Sequence, residues 1–200
     1  NISFKKPLKN KILITQITKI IYYKVNLMIS KPKNGFTLVE LIVTLAILAI
    51  MTTIALPYFH DIMARQEVKN ITNKLISSIQ LAKSHAAIHH TNVVLCPSQN
   101  KVSCQASHWN SGFIVFLDSN KNRQVDADEK IVFTESTELK YGNLDWRGTL
   151  RTPSVTFQAE NGLPNGSNGS FYYCSHYQQT HYKILLSRMG HTRIENPLTC

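Results

Sequence analysis

An apolar run of 21 residues, 36–56, constrains this chain more than any other feature, because Glu40 is its one charged side chain. At about 1.5 Å of rise per residue, the run forms a helix about 30 Å long, which matches the hydrocarbon core of a bilayer. A carboxylate near the centre of such a helix costs about 2.5–3.5 kcal/mol, and less near its end. The run therefore predicts a membrane-spanning helix whose acid requires a positive partner.

The junction before the run offers that partner. Cleavage after Gly35 would leave a free α-amine on Phe36, four residues from Glu40. The junction KNG-FTLVEL resembles the class III signal of type IV pilins and pseudopilins. The resemblance implies cleavage between Gly35 and Phe36 by a prepilin peptidase, methylation of the Phe36 amine, and neutralisation of a neighbouring subunit's amine by Glu40 as a filament grows.

Two other interpretations of the junction are open. One is a plain membrane anchor with an accidental glutamate, which the cost of a buried acid disfavours. The other is an ordinary secretory signal, whose cleavage site follows its apolar region, whereas here the glycine precedes that region.

The formal charge is distributed unevenly. The chain has 22 Lys+Arg and 12 Asp+Glu, a net charge of +10, but eight of the basic residues and none of the acids lie in residues 1–35. The remaining residues carry a net charge of +2, so charge alone gives no argument for a nucleic-acid partner. Lysines just before the apolar run predict a cytoplasmic N-terminus, with everything after Pro57 beyond the inner membrane.

We expect four segments along the chain. They are a leader (1–35), a spanning helix (36–57), an amphipathic continuation of that helix (58–90) and a periplasmic head (91–200). Because Met28 begins MISKPKNG, a complete leader by itself, we expect residues 1–27 to be upstream translation.

The helical pattern continues beyond Pro57, which we expect to kink the helix by removing a backbone donor. Apolar residues then recur mostly every three, four or seven positions, which predicts an amphipathic helix whose apolar stripe faces a folded domain. The stripe consists of Ile62, Val68, Ile71, Leu75, Ile79, Ala82 and Ala86.

From residue 92 the period changes to short β-branched or aromatic runs separated by turn-prone clusters. Together with the long helix they predict an α+β fold, in which an antiparallel β-sheet head packs on the exposed half of the helix. The predicted strands are 93–96, 112–117, 130–133, 154–157, 170–174 and 183–187.

The helix and head together resemble the FimT/GspH family of minor pilins and pseudopilins, and the likeness covers nearly all of residues 36–195. It implies the type IV pilin fold. The residues that carry it run from Leu75-Ile76-Ser77-Ser78 through Cys96-Pro97, Cys104, Trp109, GFIVFLD (112–118) and Asp128-Glu129.

Four cysteines, Cys96, Cys104, Cys174 and Cys200, form an even set in a compartment expected to be oxidising. Three pairings are possible, and proximity along the chain favours Cys96–Cys104 with Cys174–Cys200. A zinc site is the rival interpretation, but the chain contains no C-x-x-C pair. Within the family, cysteines at these places favour the type IV pilus branch.

Two further patterns suggest metal ligands. Residues 118–129 place oxygen ligands at EF-hand-like spacing, but Arg123 occupies the position that requires glycine, so we expect a loop whose Asp and Asn side chains hydrogen-bond the turn. His85 and His89 lie one helical turn apart without the glutamate of a zinc protease motif, which favours exposed surface. No Ser/His/Asp or Cys/His arrangement is evident, so we expect neither an enzyme, nor a cofactor, nor a metal.

The C-terminal region offers a candidate DNA-binding site. The FimT branch resembled here binds DNA in natural transformation through a Gly-Arg-x-Arg motif, which Gly190 and Arg193 match while His191 replaces the first arginine. Neutral imidazole contributes less than guanidinium to a phosphate contact. The candidate residues are Lys183, Arg188, Gly190, His191 and Arg193, with stacking from Tyr173, Tyr177 and Tyr182. The alternative is a solvated edge strand.

The sequence as a whole predicts a minor type IV pilin that enters the pilus through its helix and serves in pilus assembly and in DNA binding and uptake. Its expected partners are other pilins, the prepilin peptidase, the inner membrane and double-stranded DNA bound without sequence preference. The alternative is a GspH-type minor pseudopilin of a type II secretion system.

Overall fold

The computed structural model describes residue 19 and residues 38–149, 151–177 and 181–200. Residue 19 apart, the predicted leader lies outside these residues, as does the Gly35–Phe36 junction. The described chain forms a helix, α1 (Leu38–His89), followed by eight strands. These are β1 (Asn92–Pro97), β2 (Gly112–Asp118), β3 (Ile131–Ser136), β4 (Gly142–Gly148), β5 (Val155–Phe157), β6 (Gly169–Ser175), β7 (Tyr182–Leu186) and β8 (Thr192–Glu195).

The chain divides into two compact units, residues 1–52 and 53–200. In the first unit, α1 leaves its large apolar side chains uncovered; Leu38, Leu45 and Leu48, for example, are 73%, 56% and 57% exposed. The hydroxyls of Thr44 and Thr52 donate to backbone carbonyls three residues earlier, each at 2.9 Å, and so remove polar groups from that surface. By length and composition, α1 is able to cross a membrane.

In the second unit, α1 buries one side against the strands. The predicted stripe is confirmed from Val68 onward, since Val68, Ile71, Leu75, Ile79, Ala82 and Ala86 are at most 2% exposed. The prediction is wrong for Ile62, which is 48% exposed, because the head begins to cover α1 only at Ala64. The helix runs without interruption through residue 57, where a kink is expected, and ends at His89. His90 follows in a left-handed conformation (φ 49°) typical of a helix C-terminus.

The strands form two antiparallel four-stranded sheets, where the sequence predicts one. Sheet A has the order β3-β2-β1-β5, and sheet B has the order β4-β6-β7-β8. Six strands coincide with predicted runs, but β4 and β8 are not among the predictions. Both lie at the edges of sheet B, where a strand has one hydrogen-bonded neighbour.

The central strands of sheet A, β1 and β2, are buried on both faces, which explains the uninterrupted apolar run of β1. Val93 and Leu95 join the core cluster that contains the buried stripe of α1. Val94 and Cys96 point the other way and pack with Ile114 and Phe116 in a second cluster. A strand covered on two sides shows no alternation of polar and apolar residues.

Sheet B contributes one face to the core and leaves the other more open. Phe171 is fully buried and packs at 4.9 Å from Trp109 and 4.5 Å from Trp146, measured between ring centroids. Alternate residues of β6 point outward, so Tyr172 lies on the opposite, partly exposed face. We call this second surface the outer face of sheet B.

Glu67 ties α1 to sheet B. One carboxylate oxygen accepts hydrogen bonds from the Tyr173 hydroxyl (2.7 Å) and the Tyr141 amide (3.1 Å), and the other accepts one from the Lys140 amide (2.8 Å). Burial, with Glu67 beside it, raises the pKa of the Tyr173 phenol well above its usual range. A second link, between Lys74 Nζ and Glu135 Oε1 at 2.6 Å, joins α1 to β3 of sheet A.

Candidate functional site

The uncovered part of α1 is the first candidate site. Glu40 lies in the first turn of the helix as the structure describes it and is partly buried. Exposed leucine, isoleucine and valine side chains surround the rest of the helix up to Leu56. The predicted partner of Glu40, the Phe36 amine of a neighbouring subunit, lies outside the described residues. The first half of α1 is therefore an exposed apolar helix with one acid, Glu40, in its first turn.

The turn between β7 and β8, residues 187–191, holds most of the predicted DNA-binding residues. The Gly190 amide donates to the Ser187 carbonyl (2.9 Å), and the Ser187 amide donates to the His191 carbonyl (3.0 Å). Gly190 has φ +69°, a left-handed conformation that favours glycine. Lys83 of α1 donates from Nζ to the Gly190 carbonyl at 3.2 Å, so the turn is fastened to the helix.

The strands of this hairpin place two predicted cations on the outer face of sheet B. Lys183 on β7 and Arg193 on β8 both contact Glu195, at 3.1 Å and 3.7 Å. The hydrogen bond to Glu195 raises the pKa of Lys183. Arg188 lies in the turn, is exposed, and makes no ion pair within the described part of the chain. Glu195 thus offsets part of the positive charge of the predicted cluster.

The aromatic side chain on this face is one that the sequence analysis overlooked. Tyr172 lies opposite Lys183 in the neighbouring strand, and the Arg147 guanidinium carbon lies 4.2 Å from the centre of its ring. The Lys183 amine lies 5.9 Å from the same ring. Tyr172 therefore combines a stacking surface with two cations, an arrangement suited to anionic ligands. The period-two pattern of β6 contains the signal, since Phe171 and Tyr173 both point into the core.

The three tyrosines predicted to stack on DNA lie elsewhere. Tyr173 is 1% exposed and hydrogen-bonded to Glu67, so that prediction is wrong for Tyr173 because the ring is part of the core. Tyr177 contacts the rings of His60 and Tyr141. Tyr182 is half-buried against the main core.

The cysteines form two disulfides, Cys96–Cys104 and Cys174–Cys200, the arrangement that proximity along the chain favours. The first closes the loop that follows β1. The second ties the C-terminal residues to β6, and Arg147 donates to the Cys200 carbonyl at 3.4 Å. The C-terminal segment therefore lies beside the outer face of sheet B.

The loop of residues 118–129 satisfies its own polar groups, as the sequence predicts. Asp118 accepts from the amides of Asn122 (3.1 Å) and Arg123 (3.2 Å), and the side-chain amides of Asn120 and Asn122 donate to Asp126 (2.7 Å each). Burial raises the pKa of Asp118, and its backbone hydrogen bonds oppose that rise. Arg123 itself adopts the left-handed conformation (φ 62°) at the position where an EF-hand has glycine.

His85 and His89 stack on each other, with 5.3 Å between ring centroids. Across residues 38–149, 151–177 and 181–200, no group of three or more His, Cys, Asp or Glu is arranged to hold a metal ion.

Comparison with known proteins identifies two matching families. The family described as "Type II transport protein GspH" matches residues 72–190, which cover α1 from its buried half onward and most of the head. The family described as "Prokaryotic N-terminal methylation motif" matches residues 30–56, which contain the Gly35–Phe36 junction and Glu40.

Similar individual proteins include two fimbrial proteins. The chain is 33% identical to fimbrial protein EcpB of Eikenella corrodens over 107 residues, which are 54% of this chain and 61% of that protein. It is 33% identical to a fimbrial protein of Pseudomonas aeruginosa over 64 residues, which are 32% of this chain and 41% of the relative. The matched regions thus span about half the length of these relatives.

Among solved structures, the crystal structure of the type IV minor pilin FimU of Pseudomonas aeruginosa resembles this chain with a TM-score of 0.51. The sequence identity is 15%, and the likeness covers 68% of this chain and 96% of that one. At this identity the likeness shows a shared fold, a long N-terminal helix packed against antiparallel sheets.

Proposed function

This chain belongs to the GspH family of minor pilins and pseudopilins, and we propose that it enters a type IV pilus through α1 and serves in pilus assembly and in DNA uptake. As a member of this family it is a structural subunit and not an enzyme. The proposed partners are other pilins, the prepilin peptidase that removes residues 1–35, the inner membrane and DNA.

One observation carries the assembly role: a single helix is uncovered and apolar in its first half and buried under a folded head in its second half. A soluble domain would not leave a run of uncovered leucines and isoleucines in water. Two environments can cover this surface, the acyl chains of the membrane before assembly and the helices of other pilins afterwards. We place the N-terminus in the cytoplasm and the head in the periplasm.

A pilus is favoured over a secretion system because the relatives that match by sequence are fimbrial proteins. The alternative, a minor pseudopilin, is supported by the description of the matching family as a type II transport protein. A deletion strain separates the two. We expect loss of surface pili and of transformation with unchanged type II secretion, and a strain that keeps its pili but fails to secrete would establish the alternative.

Glu40 is proposed as the partner of the methylated Phe36 amine on the adjoining subunit. The Glu40→Gln variant should be cleaved and methylated normally, yet be absent from sheared pili, because the amine loses its counter-charge. Mass spectrometry of the membrane-bound protein reports the processing. Asp61→Asn is the matched control, since it removes an acid from α1 beyond the apolar run. Normal amounts of the Glu40→Gln variant in pili would contradict this role.

DNA binding is proposed for the β7–β8 hairpin, comprising Lys183, Arg188, Gly190, His191 and Arg193. Support comes from the exposed Arg188 in a turn that Lys83 fastens, and from the cation-flanked ring of Tyr172 on the adjoining face. Because phosphate contacts dominate, binding should be independent of sequence and should weaken with salt.

Two substitutions of opposite expected sign test this site on the full chain in detergent. Arg188→Ala should weaken binding of a labelled duplex. It should also reduce the slope of log affinity against log salt concentration by about one, the amount expected for one lost phosphate contact. Glu195→Gln should strengthen binding, because it releases Lys183 and Arg193 from their shared acid. Arg65→Ala, at an exposed arginine of α1, is the control and should change neither quantity. Equal binding by all three variants would remove the hairpin from consideration.

A further inference from the structure

A cluster of aromatic rings, most of them exposed, lies on the second unit. His60 of α1 stacks on Tyr177, with 6.1 Å between centroids and 9° between planes. Tyr141 meets Tyr177 edge-on at 5.4 Å and lies 6.1 Å from His60. Three separate parts of the chain, namely α1, the β3–β4 connection and the residues after β6, thus bring rings to one place. Tyr177 remains 57% exposed in this arrangement.

The helix adds apolar side chains on either side of His60. Tyr58 is 71% exposed, Phe59 is 56%, Ile62 is 48% and Met63 is 40%. We call Tyr58, Phe59, His60, Tyr141 and Tyr177 the aromatic cluster. Folding leaves Tyr58, Phe59, His60 and Tyr177 exposed and Tyr141 half-buried, although the head covers α1 from Ala64 onward.

From Arg65 to Ser84 the exposed positions of α1 are polar. Arg65, Gln66, Lys69 and Asn70 are all exposed, and two of them are cations. The uncovered apolar surface that continues from the apolar run therefore ends at Met63, seven residues beyond Leu56. Seven residues of α-helix correspond to about 10 Å along the axis.

We propose that the aromatic cluster lies in the phospholipid headgroup layer on the periplasmic side of the membrane and seats the head there before assembly. The inference rests on the membrane anchoring proposed above. The headgroup layer extends about 5–7 Å beyond the hydrocarbon on each side, so it reaches the residues that follow Leu56. Tyrosine is enriched at this depth because its ring is apolar and its hydroxyl is polar.

The charges beside the cluster fit phospholipid as the occupant. Arg65 lies five residues beyond His60, about one and a half helical turns, and a long basic side chain at this place extends from apolar surface to reach lipid phosphates. Asp61 is the one acid between residues 57 and 66, and the next acid, Glu67, is occupied by three hydrogen bonds from the head. A second copy of the chain is the competing occupant.

A tryptophan placed in the cluster reports its environment. The full chain is reconstituted in vesicles of phosphatidylethanolamine and phosphatidylglycerol, carrying Tyr177→Trp. Quenching is measured with aqueous iodide and with lipids brominated near the headgroup. The two native tryptophans, Trp109 and Trp146, are 2% and 7% exposed, so the unsubstituted chain supplies their background. Tyr58→Trp, at the most exposed ring, repeats the measurement if Tyr177→Trp disturbs the fold.

Ile88→Trp is the matched control. Ile88 is 70% exposed on the same helix, and its position 28 residues beyond His60 places it about 42 Å further along the axis. We expect iodide to quench the Tyr177→Trp variant at least about threefold less than the Ile88→Trp variant. Brominated lipid should quench only the former.

Three results would overturn the inference, and they differ in what else they overturn. If the chain floats with the vesicles but iodide quenches both variants equally, the anchor stands and the seating of the head is wrong. Shielding that grows with the ratio of protein to lipid would assign the cluster to a second copy. A chain that does not float with the vesicles would overturn the anchoring and this inference together.

Discussion

The two parts of α1 show the same residue types in opposite environments. Leu45, in the first unit, is 56% exposed, whereas Leu75, in the second, is completely buried. Both belong to one helix of 52 residues. Secondary structure is therefore not what distinguishes them; the arrangement of their neighbours is.

In the first part, apolar side chains occupy every side of the helix, and the most apolar stretch has a mean hydropathy of 2.4. Between residues 64 and 84 of the second part, the buried apolar side chains form one stripe, and exposed polar residues such as Arg65, Lys69 and Asn73 fill the opposite side. A helix that is apolar all round requires an apolar surrounding on every side, while a stripe requires only one packed surface. The stripe therefore coincides with the part of α1 that the head covers.

The largest expected effect comes from truncating the buried part. Leu75→Ala should lower the free energy of unfolding of the head by about 2–5 kcal/mol, because it removes packing and leaves a cavity. Leu45→Ala should leave that free energy unchanged, because its side chain contributes nothing to the head. Urea unfolding of the full chain in detergent, followed by tryptophan fluorescence, measures both. Equal losses would show that the two parts fold as one unit.

A charge introduced into the uncovered part should impair membrane insertion and leave the stability of the head unchanged. Leu48→Arg should oppose membrane insertion by about 2.5–3.5 kcal/mol, because the side chain would lie near the centre of the span. Its effect on the unfolding of the head should be negligible. Ile88→Arg, at an exposed position of the second part, is the control and should leave the membrane-bound fraction in a flotation assay unchanged. Insertion of the Leu48→Arg variant at the level of the parent would contradict the spanning role.

How far the sequence predicts the fold depends on burial. The stripe of α1 and the strands β1 and β2 are predictable because covered elements carry strong apolar signals. The edge strands β4 and β8 are not, because GNLDWRG and TRIE place only alternate or isolated apolar residues among polar ones. Ile62 has the correct spacing for the stripe, but spacing alone does not reveal where the covering head begins.

The candidate site is predictable only where residues are adjacent in the chain. Arg188, Gly190 and Arg193 form a recognisable local motif, and the structure places them on one hairpin. The roles of Lys83 and Glu195 depend on tertiary contacts over 107 and 12 residues of sequence, which no local pattern reveals. Tyr172 and Tyr173 are neighbours in the chain and lie on opposite faces of sheet B. The local sequence does not reveal which of the two lies on the outer face beside the cations.

The link between the buried part of α1 and sheet B predicts a smaller loss. Glu67→Gln removes the charge and one of two acceptor oxygens, so it should lower the free energy of unfolding by about 1–3 kcal/mol. Glu160→Gln, at an exposed loop position, is the matched control and should have no measurable effect. A Glu67→Gln variant as stable as its parent would show that this link contributes nothing to the attachment of the head.

The same link predicts a dependence on alkaline pH. Because the pKa of Tyr173 is raised in the folded protein, its contribution to stability is complete below about pH 10, the usual value for tyrosine, and is lost as the pH rises further. Ultraviolet titration should show Tyr173 still protonated above pH 10. Ionisation of Tyr173 near pH 10 in the folded chain would contradict this.

The smallest effect concerns the polar contact of Lys83 with the hairpin turn. Gly190 and Gly166 both have left-handed backbones, with φ +69° and +74°, so alanine at either should cost about 1–2 kcal/mol. A Cβ at Gly166 would meet nothing within 4 Å, whereas one at Gly190 would lie 2.8 Å from Lys83 Nζ. The flexible Lys83 side chain can move aside, but it then loses its hydrogen bond, so Gly190→Ala should cost about 1 kcal/mol more than Gly166→Ala. In a Lys83→Met background that difference should disappear, and its persistence in urea unfolding would show that backbone strain alone sets the cost at Gly190.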